Sequence, residues 1–152
     1  MIERGDFIHY VLSGIKKIEG TVEEILEKRI KLAAGEKGFR EDTSEIIKVL
    51  KKVFALAEVK EWFSHDGENE KEVAVAEPAE GGKSGIMRID RFVANAGDKT
   101  LVIEYKTGAD TGTAEKHKKQ ISEYIDAVRN ICPEKNIEGY LLYIDEAKIV
   151  KI

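Results

Sequence analysis

Gly85-Ile-Met-Arg-Ile-Asp90-Arg-Phe-Val-Ala-Asn95-Ala-Gly-Asp98-Lys-Thr100-Leu-Val-Ile-Glu104-Tyr-Lys106 is the stretch on which the fold turns. Its apolar runs Ser84–Ala94 and Thr100–Lys106 read as strands, with Ala96-Gly97-Asp98 between them as a hairpin loop. Each run holds a carboxylate, Asp90 in the first and Glu104 in the second, where burial is costly. Strand alternation puts Glu104 and Lys106 on one face. With a three-residue loop Asn95 faces Lys99, and the same register sets Asp90 opposite Glu104. Opposed carboxylates repel unless positive charge lies between them. A divalent cation with oxygen ligands meets that need, with Lys106 lining the same pocket. The alternative is a one-sided sheet whose Asp90 and Glu104 face solvent, paired with Arg88, Arg91 or Lys106. Spacing alone leaves both open.

Upstream, the pattern is helical. Phe7, Ile8, Val11, Leu12, Ile15 and Ile18 share one arc of a helix that Gly20 ends. Thr21 and Glu24 have capping-box spacing for a second helix, Thr21 to Ala34. Asp42 and Glu45 open a third, with Ile46, Ile47, Leu50, Val53, Phe54 and Ala57 on one face and its last turns reaching Trp62. Ser64–Glu70 reads as a polar loop and Glu72–Ala76 as a short strand ending near Pro78. Downstream, Thr107–Thr113 is a Gly/Thr-rich loop, and Thr113 can cap a helix running to about Ile131, which Pro133 stops. Gly139–Ile144 and Lys148–Ile152 read as a terminal hairpin. The order (helices, three strands, helix, two strands) predicts an α/β fold with a central mixed sheet flanked by helices.

A length of 152 residues predicts one domain, 1–152, with N-terminal helices over 4–62 and a sheet-and-helix core over 71–152. At 42% hydrophobic and 36% charged, the chain is too apolar for disorder and too charged for a membrane protein. No run approaches a spanning helix and no signal-peptide pattern opens it, so a cytoplasmic domain is expected. The single cysteine, Cys132, excludes intramolecular disulfides, zinc ribbons and cysteine-ligated iron–sulfur clusters. A net charge of −4 argues, on its face, against a nucleic-acid partner.

Four motifs overrule that argument. Arg4-Gly5-Asp6-Phe7-Ile8-His9, Gly85-Ile-Met-Arg-Ile-Asp90-Arg91, Val102-Ile-Glu104-Tyr-Lys106-Thr-Gly108 and Gln120-xxx-Tyr124 stand in register. Together with the ending Tyr140-Leu-Leu-Tyr143, they resemble the RecB-like branch of the PD-(D/E)XK nucleases. Within it, the likeness is to the C-terminal nuclease domain of AddA/RecB-type helicase–nucleases. Two departures stand out: Arg88 occupies a position where the branch usually has Gly, and Glu104 one where Asp is commoner. Neither removes a metal ligand.

The resemblance implies a restriction-endonuclease-like core and a DNA nuclease, expected to be exonucleolytic, acting on single strands or duplex ends. It implies that His9, Asp90, Glu104 and the carbonyl of Tyr105 bind Mg²⁺ or Mn²⁺. Asp90, Glu104 and Lys106 would be catalytic, Lys106 orienting water or neutralising phosphorane charge. Gln120 and Tyr124, one helical turn apart, would touch nucleic acid or brace the metal site. The chain starts almost on the first motif, and its end resembles the natural C-terminus of the family. It carries no helicase motif, so a helicase domain or subunit is the expected partner, in DNA end processing and recombinational repair.

Other residues have plainer readings. His9 falls about 60° beyond the apolar arc of its helix, where a half-exposed histidine is common and a ligand can reach a groove. Tyr124 can be core, Gln120 a solvated flank, His117 a packing residue or phosphate contact, and Glu72 a surface acid. Gly82-Lys83-Ser84 ends like a P-loop, but the required first glycine is Glu77, so a turn is expected. His65-Asp66-Gly67-Glu68 reads as a loop, and Cys132 as buried and inert. Lys16, Lys17, Lys28, Arg29, Lys31, Lys48, Lys51 and Lys52 are interleaved with glutamates, mostly as solvated surface, with part able to flank a phosphate track. Two rivals remain. One is a catalytically silent nuclease fold serving binding or architecture; the other is an acidic α/β protein-interaction module, in which Asp90 and Glu104 lie apart and face solvent.

Overall fold

The computed structural model describes residues 1–74, 85–108, 112–133 and 135–152. Four helices come first: α1 (Arg4–Ser13), α2 (Val22–Lys37), α3 (Ser44–Phe54) and α4 (Ala57–Ser64). Then follow β1 (Glu68–Ala74), β2 (Ile86–Ala96), β3 (Lys99–Lys106), α5 (Ala114–Ile131), β4 (Asn136–Tyr143) and β5 (Lys148–Lys151). The five strands form one sheet in sequence order. Every neighbouring pair is antiparallel except β3 and β4, whose parallel pairing the crossover helix α5 permits. This is the expected mixed sheet flanked by helices.

Alternation on β3 builds two cores. Leu101, Ile103 and Tyr105 face one way and pack with α1–α4, including Phe7, Val11, Leu50, Phe63 and Trp62. Val102 faces the other way and packs with Ile121, Tyr124, Ile125 and Val128 of α5. A central strand buried on both sides needs an unbroken apolar run, and Leu101–Ile103 supplies it. On the α5 side the layers touch closely. A Cβ at Gly139 of β4 would lie 2.5 Å from Ile125 Cδ1 and 2.6 Å from Ile121 Cγ2. Gly139→Ala is therefore expected to destabilise the fold by about 1–3 kcal/mol, read as a lower urea midpoint at unchanged slope.

Several boundaries differ from the sequence reading. The third helix is two, broken where Leu56 turns extended, with φ −69° and ψ 133°. In one straight helix Phe54 and Phe63 would be separated by about 1.5 Å per residue over nine residues. The break brings their rings edge to face at 4.8 Å and buries both apolar faces. α1 stops at Ser13, where Gly14 leaves room for Arg29 to add its hydrogen bonds to the Tyr10 and Val11 carbonyls of the last turn. Thr21 makes no side-chain cap; Asp42 does accept from the Ser44 amide at 2.9 Å. Thr113 contributes its carbonyl to α5 and no side-chain cap.

β1 begins at Glu68, inside the expected loop, because Glu68 and Asn69 already pair with Phe92 and Arg91. The β2–β3 hairpin closes more tightly than expected, with Ala96 facing Lys99 around Gly97 and Asp98. Gly97, at φ +68°, permits that turn. A bulge between Val93 and Ala96 takes up the difference, so Arg91 faces Ile103 and Phe92 faces Val102, as the three-residue loop also required. Cys132 is half-buried at the end of α5 rather than fully buried. The turn at Gly82-Lys83-Ser84 and the first strand beyond Ala74 lie outside the described residues. Among the described residues no helix is long and apolar enough to cross a membrane.

Candidate active site

Where β3 ends, three elements meet. The register Arg91 to Ile103 sets Asp90 beside Glu104, and Tyr105 N–H donates to Asp90 Oδ2 at 2.8 Å. α1 arrives from the helical layer and crosses so close that a Cβ on Gly5 would stand 2.7 Å from Thr107 Oγ1. This approach delivers His9. Its Nδ1–H donates to Gly5 O at 2.9 Å and its Nε2–H to Tyr105 O at 3.0 Å, with Asp90 Oδ2 3.4 Å away. All those partners are acceptors, so the ring is an imidazolium in this arrangement.

The electrostatics follow. The hydrogen bond to Asp90 leads in raising the His9 pKa to about 9, outweighing burial. Burial pushes Asp90 upward, but His9, Glu104 and the Tyr105 amide more than offset it and hold Asp90 below the usual range. Glu104, only 4% exposed, is pushed to about 9 by burial and then by Asp90. Burial and mutual contact thus push the pair apart, favouring the protonated form of Glu104 and the ionised form of Asp90. Glu104 Oε2 is buried with no hydrogen-bond partner.

On the α5 side, Lys106 Nζ donates to Gln120 Oε1 at 2.9 Å, and Gln120 Nε2 donates to the Tyr124 hydroxyl at 3.0 Å. Tyr124 bonds in turn to Glu104, and burial first, then Glu104, raises its pKa. Gln120 and Tyr124 thus link Lys106 to Glu104. Tyr124, 7% exposed, offers little surface to a nucleic acid. His117 bonds through Nδ1 to the Tyr143 hydroxyl at 3.1 Å.

Asp90 and Glu104 touch and are sunk in the fold, which removes the surface-ion reading and the interaction module that depended on it. Of the cations offered as surface partners, Arg88 pairs with the exposed Glu72 at 4.0 Å, and Arg91 turns to the opposite face. Among the described residues, no three or more His, Cys, Asp or Glu side chains already stand arranged to hold a metal ion. Asp90 instead lies between His9, 3.4 Å away, and Glu104. Their donor types still fit a hard cation: two carboxylates, one with a spare buried oxygen, a backbone carbonyl and an imidazole.

The structure also brings in residues that motif reading missed. A groove of about 560 Å³ opens beside Lys106 and is lined by Thr113, Lys116, His117, Lys119, Gln120 and Glu123. Lys116 and Lys119 lie three apart on α5, on the side that carries Gln120. The signal was in Glu115-Lys-His-Lys-Lys-Gln120, a basic run directly before the glutamine motif. A second latch shapes the loop after β3. Asp145 accepts from Gly108 N–H and from Arg4, both at 2.6 Å, tying the β4–β5 turn to α1.

The family model of the PD-(D/E)XK nuclease superfamily matches residues 2–151. Among solved structures, the crystal structure of SSO0001 matches with 21% identity and a TM-score of 0.44, covering 100% of this chain and 68% of that one. No curated protein matches the sequence.

Proposed function

The chain belongs to the PD-(D/E)XK nuclease superfamily, and from that premise we propose that it is a divalent-metal-dependent deoxyribonuclease of the RecB-like type, built as one domain. The observation that carries this reading is the meeting of His9, Asp90, Glu104 and the Tyr105 carbonyl at one strand end, with Lys106 alongside. A bound Mg²⁺ or Mn²⁺ would supply an activated water and draw charge from the scissile phosphate. His9, Asp90, Glu104 and Tyr105 O would hold it. Asp90 is kept ionised for that task by His9 and Glu104 first and then by the Tyr105 amide. His9 keeps Nδ1–H on Gly5 O, which leaves Nε2 as the ligand once its proton departs. Lys106, positioned by Gln120, would orient the attacking water or neutralise phosphorane charge. Cleavage would leave a 5′-phosphate and a 3′-hydroxyl.

The substrate strand would run along the α5 groove over Lys116 and Lys119. Bound cation and these lysines together answer the net charge of −4, which describes the whole surface and not the site. A double Lys116→Ala, Lys119→Ala variant should bind single-stranded DNA more weakly, its log–log salt slope shallower by about 1.4, at roughly 0.7 per lost contact. An unchanged slope removes this path.

Within this reading the activity is exonucleolytic, and a helicase domain or subunit supplies unwinding in DNA end processing. What supports this finer reading is the resemblance of the four motifs to the nuclease domains of helicase–nucleases. The test is digestion of matched linear and circular single-stranded DNA with Mg²⁺ or Mn²⁺. Metal-dependent loss of the linear form alone is expected. Cleavage of circles makes the enzyme an endonuclease, and no cleavage together with no Mn²⁺ binding makes the fold catalytically silent.

A further inference from the structure

Arg91 follows Asp90 in β2, and alternation sends it into the helical layer. It is 0% exposed; among the described residues no carboxylate makes an ion pair with it, and Asp66 acts on it only through its charge. Its guanidinium donates to the carbonyls of Ile15 at 3.0 Å, Lys16 at 2.9 Å, Trp62 at 3.0 Å and His65 at 3.1 Å. It reaches Asn69 Oδ1 at 3.3 Å and lies 3.9 Å from the centre of the Phe63 ring. Gly67 is a glycine of necessity, since a Cβ there would strike the guanidinium. A buried cation held mainly by main-chain carbonyls, with only an amide oxygen, a ring face and the unpaired charge of Asp66 to help, is costly as a stabilising device, since apolar packing would fill the same volume.

Its partners say what the cost supports. Ile15 and Lys16 directly follow α1, the helix that carries His9; Trp62 and His65 close α4; Asn69 opens β1 and itself donates to Ile15 O at 2.9 Å. α1 has no basic residue in its last turn, so Arg91 and Arg29 supply positive charge at that end from other elements. The remaining nitrogen, Arg91 Nε, and the Tyr105 hydroxyl are both buried without a partner on this side of the sheet. Tyr105 is the residue whose amide holds Asp90 and whose carbonyl takes His9.

We propose that Arg91 is a positioning residue of the active site: from the opposite face of the sheet it pins the end of α1 to β2 and so fixes how His9 meets Asp90 and Tyr105. Asp90 and Arg91, adjacent in sequence, thus serve one centre from two sides.

One of two readouts rests on the metal reading above; the other does not. Arg91→Lys keeps the charge, but an ammonium has three donors and no planar fork for these carbonyls. Under conditions where the variant is fully folded, its calorimetric Mn²⁺ affinity should fall tenfold or more. Amide exchange without metal should show the Tyr105 N–H losing protection relative to Ile125 in α5. Asn69→Ala, which removes one tie to Ile15, should move both readouts the same way by two- to fivefold, and decides the question if Arg91→Lys does not fold. A folded variant with lower urea stability but unchanged Mn²⁺ affinity and an unchanged Tyr105-to-Ile125 exchange ratio overturns the proposal. If the wild-type chain shows no Mn²⁺ site that disappears in Asp90→Asn, the metal reading fails, and the exchange ratio alone decides the role of Arg91.

Discussion

Asp90→Asn should abolish metal-dependent DNA degradation, with a loss on the order of 10³-fold or more and no loss of fold. The carboxylate is the one acid at this centre held ionised, and it touches both the His9 ring and the Tyr105 amide. Losing a metal ligand removes several kcal/mol of charge stabilisation, and each 1.36 kcal/mol is about tenfold in rate. Lys106→Ala should cost about 10²–10³-fold, the usual effect of deleting one preorganised donor, with Mn²⁺ binding retained. Single-turnover digestion, circular dichroism and calorimetry on both variants separate the roles. Wild-type rates from folded Asp90→Asn would sink the nuclease assignment.

Glu104→Gln should do the reverse of an ordinary disabling mutation, raising metal-free stability by about 1–3 kcal/mol at pH 8 while eliminating the response to Mn²⁺. Glutamine copies the protonated acid that the site imposes and can donate to Asp90 without a proton to lose. The folded-state pKa of Glu104, about 9, lies above its ordinary 4.5, and that of His9, also about 9, above its ordinary 6.5. In both cases the folded chain holds the proton more tightly, so stability is greatest below the unfolded value and is lost as pH rises through the folded one. Metal-free stability should therefore decline from about pH 4.5 to about 9, most steeply above 6.5. In Glu104→Gln only the His9 share remains. Saturating Mn²⁺ binds the deprotonated set and should restore wild-type stability, by about 2.7 kcal/mol at a hundred times its Kd. Urea titrations across that range, with and without Mn²⁺, test this. A flat metal-free profile would mean that the site does not favour the protonated form of Glu104.

The part of the fold legible in the sequence rests on periodicity and on short-range register. The strand run around Asp90 and Glu104 announced two carboxylates in an apolar setting, and their pairing survived a hairpin one residue tighter because the bulge before Ala96 restored the same alignment. Helix breaks were harder. Ile46 to Phe63 keeps one helical pattern in sequence, while only the packing of Phe54 on Phe63 reveals the bend at Leu56.

The sequence by itself determined the two-faced sheet, the family motifs and the residue types of the centre, since alternation and motif spacing are local properties of the chain. Tertiary structure alone decided which of two carboxyls burial favours in its protonated form, that Tyr124 turns inward onto Gln120, and that Lys116 and Lys119 line the groove at Lys106. It also turned Arg91, in sequence a plausible surface partner for Asp90, into a buried clamp on the far side. Charge state, burial and the meeting of α1 with β3 depend on contacts between residues as far apart as His9 and Tyr105, and no local pattern encodes the energy of desolvating them together.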